Sequence, residues 1–405
     1  MKCRACSNKS NYEFLNLGRS PPSNAFLKRV NQHEKVYPLK VFFCRNCFLV
    51  QTKDFASRKE LFNKDYVYFS GYSNTWKNHL NKFVLELEKK SLIKKNSFIV
   101  EIASNDGTLL EILTKKKYRS LGIEPTASTA EVAKKKGLHV IQNFFGKKLA
   151  LNLKKKISPD LIIANNVLAH VPDINNFISG LKDLLSKNGV ITIEFQHLLN
   201  IIKKNQFDTI YHEHYSYLSL IAAQKIFLKH NLEIYDAKEI STHGGSLRIF
   251  IKHKNNKLRN KTAQFIQILK KEKIFGLAHI KTYKKFQNKV EKIKKFFLTF
   301  MDIEIKKKKT FVSYGAAAKG NTFLNFMNID KNKVKYVVDK NPLKIGKFLP
   351  GSKIEVKEES IISRTKPDYI LIMPWNIKNE IMAQLKYVKK WNAKFITAIP
   401  SIKIY

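Results

Sequence analysis

From residue 97 to about 254, short apolar runs alternate with stretches whose apolar positions recur every three or four residues. Runs at 98–102, 120–124, 139–143, 161–165 and 190–194 read as strands, and 127–136 as a helix between two of them. Strand–helix alternation of this kind implies a parallel, doubly wound sheet. Segments 232–238 and 246–252 are expected to close it with an antiparallel edge.

The pattern differs on either side. An amphipathic helix is expected at about 74–92. A Lys-rich stretch from about 260 to 308 keeps Ile, Leu and Phe at helical spacing, so it has a buried face. A second strand–helix–strand unit begins at 310–315 and continues through 334–339 and 369–373. Residues 1–62 have little helical periodicity, a turn-rich stretch at 17–26 and a strand at 36–43. The fold class is therefore α/β in three parts. These are a small module at 1–62, a doubly wound, Rossmann-like core at 63–254, and a helical connector with a carboxyl-terminal α/β domain at 255–405.

Composition changes this picture little. The chain has 405 residues, 44% of them hydrophobic and 12% aromatic, and no run of eighteen apolar residues. A globular protein without a membrane span is expected. The polar first residues argue against a signal peptide, and paired, reduced cysteines suit the cytoplasm. The formal net charge of +43 invites a nucleic-acid reading, but only nine of the 75 basic residues are Arg. Arg is the preferred bidentate phosphate ligand. The Lys runs read as solvated surface, with no nucleic-acid partner.

The four cysteines form two pairs, Cys3-Arg4-Ala5-Cys6 and Cys44-Arg45-Asn46-Cys47. Two CxxC knuckles some 40 residues apart can direct four thiolates at one tetrahedral ion, the signature of structural zinc.

In a doubly wound sheet, ligands bind beyond the carboxyl ends of the strands. The first strand ends in Ala103-Ser104-Asn105-Asp106-Gly107, with one glycine suited to a tight turn. The second ends in Glu124, seventeen positions after Gly107, where an acid can hold ribose hydroxyls. Together they suit an adenosine-bearing cofactor and leave nicotinamide and S-adenosylmethionine both open. Asn166 and His170, after the fourth strand, would line the same cleft.

The densest polar cluster is Tyr211-His212-Glu213-His214-Tyr215-Ser216-Tyr217. It is not the HExxH zinc pattern. In extended backbone His212 and His214 would face one way, and Tyr211 and Glu213 the other. Imidazole suits general-base work, and a tyrosine can donate to a developing oxyanion. A packed aromatic segment is the plainer alternative. His243-Gly244-Gly245-Ser246-Leu247-Arg248 and Tyr314-Gly315-Ala316-Ala317-Ala318-Lys319-Gly320-Asn321-Thr322 add backbone access, Arg248 and Lys319.

These motifs, in this order, resemble the S-adenosylmethionine-dependent sugar C-methyltransferases that act on nucleotide-linked ketodeoxysugars. The resemblance covers essentially the whole chain. It rests on CxxC…CxxC, SNDGTLL, Gly122-Ile123-Glu124-Pro125, NNVLAHVPD, YHEHYSYLS, GGSLR, YGAAAKGNT and Asp339-Lys340-Asn341-Pro342. It departs at Ala103, where a glycine is common, and in its Lys load.

The resemblance implies a zinc module, a methyltransferase core and a third domain, with the sugar nucleotide in the cleft between them. It implies S-adenosylmethionine contacts from Ser104, Asn105, Gly107 and Glu124, joined by Asn166 from the cleft reading. It implies His214 as general base, with Tyr211, Glu213 and His170 as further catalytic residues. Tyr66, Tyr68 and Tyr72 match an aromatic segment beside the sugar, and Arg248 and Lys319 are expected to bind substrate. Zinc on Cys3, Cys6, Cys44 and Cys47 is implied to be structural. A thymidine diphosphate carrier, a 4-keto sugar methylated at the adjacent carbon and a monomeric protein are carried over in the same way. Two other classes are an RNA- or small-molecule-modifying methyltransferase and a non-catalytic zinc scaffold.

Overall fold

The computed structural model describes residues 1–9, 11–55, 57–61 and 69–405. Three sheets organise them. The amino-terminal sheet contains β1 (Asn11–Ser20), β2 (Tyr37–Cys44) and β3 (Val50–Thr52), paired antiparallel in sequence order. Strand β1 departs from the expected turn-rich stretch. Its apolar Phe14, Leu15 and Leu17 are buried against the helix Phe286–Lys306 and its neighbours. Gly18, a signal of a turn, sits inside a bulged strand whose register shifts between Asn16 and Arg19.

The core sheet contains β4 (Phe98–Ile102), β5 (Arg119–Ile123), β6 (Val140–Ile141), β7 (Leu161–Asn165) and β8 (Val190–Gln196). The short β9 (Ser216–Tyr217) leaves this domain and pairs with β3, so the core completes the amino-terminal sheet. Then β10 (Leu232–Ile240) and β11 (Ser246–His253) return as an antiparallel hairpin on β8. The order is β10-β11-β8-β7-β4-β5-β6, and β4 to β8 are parallel. Strands β4 and β7 are neighbours, one at the head of each half of the sheet. A crevice therefore opens beyond their carboxyl ends.

The expected long helix is three: Ala263–Phe275, Ile280–Lys284 and Phe286–Lys306. Gly276 ends the first in a left-handed conformation that glycine adopts without a Cβ penalty. The carboxyl-terminal sheet contains β12 (Phe311–Tyr314), β13 (Val337–Val338), β14 (Val356–Lys357), β15 (Tyr369–Ile372), β16 (Lys394–Thr397) and β17 (Lys403–Ile404), in the order β14-β13-β12-β15-β16-β17. All but β17 run parallel, and a second crevice opens between β12 and β15. No helix among the described residues is long and apolar enough to cross a membrane.

Candidate active site

Each cysteine knuckle closes with the same turn. Ser7 and Phe48, the residues after Cys6 and Cys47, both take positive φ, and their amides donate to the carbonyls of Cys3 and Cys44. The four sulfurs lie within 4.8 Å of one another, with Cys3 Sγ 3.5 Å from Cys47 Sγ and Cys6 Sγ 3.6 Å from Cys44 Sγ. A tetrahedron with Zn–S bonds of ~2.3 Å has edges of about 3.8 Å, so these thiols fit one zinc with no open position.

The knuckle is also joined to the core. Arg4 donates from Nη1 to the Pro172 carbonyl (2.8 Å) and from Nη2 to the Thr52 carbonyl (2.7 Å), and lies over the Tyr215 ring. Nothing in the sequence marks Arg4 for this role.

The first crevice is lined by the loop after β4, by Glu124 and Thr126 after β5, by Asn165, Asn166 and His170 after β7, and by Trp76. Gly107 has φ +76°, and a Cβ there would collide with Leu138. The expected turn glycine is therefore sterically required. Glu124 organises the loop: Oε2 accepts from the Asn105 amide (2.8 Å) and Oε1 from the Thr126 amide (2.9 Å). Ser104 Oγ, both amide atoms of Asn165 and Glu101 Oε2 are buried without a hydrogen-bond partner among the described residues. Such groups are costly unless a ligand or water meets them. Burial and the nearby Asp106 and Glu124 push the Glu101 carboxyl well above its usual range. Glu101 and Asn165 were not expected at the site. An acid inside an otherwise apolar strand was the available signal for the first.

The YHEHY segment turns tightly instead of running extended, because the His214 amide donates to the Tyr211 carbonyl (2.9 Å). The expected sharing of a face by His212 and His214 is thereby overturned. His212 goes to the Pro38 carbonyl (3.3 Å), while the Tyr211 hydroxyl meets His214 Nε2 at 2.9 Å. Thr52 of the zinc module donates to the His214 carbonyl (3.0 Å), and the Tyr215 amide to the Ala169 carbonyl (2.8 Å). The second contact sets the segment beside His170, whose ring centroid is 4.6 Å from that of His214.

Carbonyl oxygens fix both tautomers. His214 Nδ1 lies 2.8 Å from the Thr209 carbonyl and His170 Nδ1 2.7 Å from the Glu213 carbonyl. A carbonyl only accepts, so each Nδ1 carries the proton and each Nε2 the lone pair. Burial lowers the His170 pKa to about 4. Burial and His170 hold His214 well below its usual value. Both imidazoles are neutral near pH 7. Glu213 is buried, its pKa raised by desolvation, and its Oε1 accepts from the amide (2.9 Å) and side chain (3.0 Å) of Asn24.

Arg248 does not reach the cleft. It is 1% exposed and donates to Glu194 (2.9 Å) and Glu86 (3.1 Å), with its guanidinium 3.8 Å over the Phe83 ring. Its strand position points it beneath the sheet, where two carboxylates occupy it. Lys319 lies at the crevice, 3.3 Å from the His243 carbonyl, and His243 Nε2 lies 3.4 Å from the amide of Asn166. Tyr66 and Tyr68 lie outside the described residues, and Tyr72 ends the short turn Ser70–Tyr72.

The family described as C-methyltransferase C-terminal domain matches residues 241–400, and the one described as methyltransferase domain matches 74–237. The family described as “Putative zinc binding domain” matches residues 3–62. The chain is 28% identical over 408 residues to C-methyltransferase NovU of Streptomyces niveus, covering 100% of this chain and 96% of that one. The chain belongs to the S-adenosylmethionine-dependent C-methyltransferases with an amino-terminal zinc module. Among solved structures, magnesium protoporphyrin IX methyltransferase of Synechocystis is 15% identical, covers 49% of this chain and 99% of its own, and has a TM-score of 0.36. A methyltransferase of Anabaena variabilis is 16% identical over 44% of this chain and 94% of its own, with a TM-score of 0.35. Overlaps at that level carry no weight for substrate.

Proposed function

We propose that this C-methyltransferase acts on a nucleotide-linked 4-keto-deoxysugar, thymidine diphosphate being the carrier that the family resemblance suggests, at the carbon beside the ketone. One observation carries the reading: a neutral, buried His214 with its lone pair on Nε2, packed beside the donor crevice. Carbon becomes a nucleophile when a proton leaves next to a carbonyl. A base held neutral at physiological pH suits that step.

His214 Nε2 takes the proton, and the C–H pair becomes the enolate double bond with charge on oxygen. The Tyr211 hydroxyl lies 2.9 Å from Nε2, so it moves aside when substrate enters and is then able to donate to substrate oxygen. Glu213 and His170 flank the same point. Ser104, Asn105, Gly107, Glu124 and Asn166 of the donor crevice would hold S-adenosylmethionine, which would supply an electrophilic methyl on sulfur. Burial of the cleft guards the enolate against reprotonation by water. Tyr66, Tyr68 and Tyr72 stay as proposed sugar contacts on the strength of the resemblance.

The test is transfer of labelled methyl to a panel of nucleotide-linked ketosugars, with wild type and His214→Ala compared. Label on a sugar carbon, reduced at least ~100-fold in the variant with donor affinity retained, is the expected result. Transfer within tenfold of wild type in the variant removes His214 as base. Absence of transfer to every ketosugar, with intact donor binding, removes the substrate class.

A further inference from the structure

Enolate formation places a negative charge on the sugar oxygen, and before proton transfer neither neutral imidazole beside it has an N–H to offer that oxygen. Each neutral ring has one N–H, and each N–H is already given to a main-chain carbonyl, of Thr209 or of Glu213. A cation is available from the carboxyl-terminal domain. Lys319 is the second residue of the helix Ala318–Met327 after β12, and Trp375 follows β15, so both come from the carboxyl ends of adjacent parallel strands. His243 links Lys319 to the donor crevice: its carbonyl accepts from the Lys319 ammonium (3.3 Å), and its ring lies 3.4 Å from the side-chain amide of Asn166, which lines that crevice.

The ammonium is held from behind. It lies 4.9 Å from the Trp375 ring centroid, and Trp375 Nε1 donates to Asp208 Oδ2 at 2.6 Å. Asp208 is 2% exposed, and its Oδ1 has no hydrogen-bond partner among the described residues. Gly244 lets this arrangement close, because a Cβ there would strike Trp375.

We infer that Lys319 is the electrostatic stabiliser of the enolate oxygen and that buried Asp208, with Trp375, is the positioning residue that keeps its ammonium charged and aimed. This rests on the ketosugar reading above and assigns a catalytic part to the carboxyl-terminal domain. The balance is simple: the α-carbon proton goes to His214, the electron pair to oxygen, and the charge is met by Lys319 without proton loss. The titratable groups facing Lys319 are Asp208, His214 and His243. Burial lowers both imidazoles and also disfavours the Lys319 cation, and Asp208 opposes that effect.

The test uses the full chain and a ketosugar nucleotide in deuterium oxide without methyl donor, reading exchange of the α-proton, followed by methyl transfer in its presence. Lys319→Met is expected to lower exchange and transfer together by ~100-fold, while donor affinity by calorimetry changes less than threefold. Lys319→Arg, which restores charge, should recover part of both. Asp208→Asn should shift the basic limb of the rate profile to lower pH, because the ammonium loses the carboxylate that favours it. Exchange within threefold of wild type in Lys319→Met overturns the inference and leaves the ketosugar reading standing. An unmoved basic limb in Asp208→Asn overturns the positioning role. Wild type that neither exchanges nor methylates any ketosugar overturns both.

Discussion

His214 and His170 show how burial alone selects chemistry. Desolvation disfavours imidazolium, so both rings are neutral at neutral pH, and the proposed base His214 stays neutral well below pH 6.5. The rate of methyl transfer at saturating substrate should therefore hold from pH 7.5 down to pH 6 if no other group limits it. A fall with midpoint near 6.5 that vanishes in His170→Gln would show an unperturbed imidazole instead. Arg248 makes the opposite point. As a buried partner of Glu194 and Glu86 it is a structural cation, and Arg248→Met should cost about 1.5–3 kcal/mol of stability in urea by removing its charged hydrogen bonds, while His79 and Thr242 stay on Glu194 and Lys238 on Glu86. The acceptor KM of the folded variant should be unchanged; a KM raised tenfold at intact stability would return Arg248 to the substrate site.

Among the elements, the loop from β4 to its helix depends on backbone geometry more than on side chains. Ala103 and Asn105 also adopt positive φ, in addition to Gly107. Gly107→Ala adds a left-handed cost of roughly 1–2 kcal/mol and a collision with Leu138. Weaker donor binding and a lower melting temperature are expected together, read by calorimetry and by thermal unfolding. Donor affinity equal to wild type would mean that the loop tolerates a Cβ. The strands β4, β7 and β8 were legible because both faces are covered and nearly every position is apolar. Strand β1 was not: its glycine and polar residues resemble a turn, and it is pairing with β2 and packing on a helix more than 250 residues later that make it a strand.

At the scale of the molecule, the zinc module is packed against the candidate site as well as being a fold unit. Strand β9 of the core lies in its sheet, Thr52 holds the His214 carbonyl, and Arg4 spans the gap to Pro172. Removing zinc with a chelator should release about one ion per chain, lower the melting temperature and reduce methyl transfer, with metal content and unfolding followed in parallel. Full activity after complete zinc loss would separate the module from the site. S-adenosylmethionine at a hundred times its Kd should add about 2.7 kcal/mol of stability, seen as a rise in melting temperature. Its absence would remove the donor crevice as the binding site.

The sequence by itself determined the local order: which core runs become strands, where the turn glycine must sit, and that four cysteines are spaced to share one ion. Those properties follow from periodicity, steric freedom and ligand spacing, all readable over a few residues or as a short pattern. It also placed the YHEHY segment, the donor loop and Lys319 on the list of reactive candidates. Only the tertiary structure decided which polar groups are spent and which remain available. Arg248 and Lys319 look alike along the chain. One is enclosed by two carboxylates beneath a sheet, while the other stands at a crevice, with its carboxylate held behind a tryptophan. Likewise, the tautomers of His170 and His214 depend on carbonyls presented by the folded YHEHY turn and the Phe207–Thr209 turn before it. Charge state, tautomer and reach depend on the groups brought together from distant parts of the chain, and composition carries no record of them.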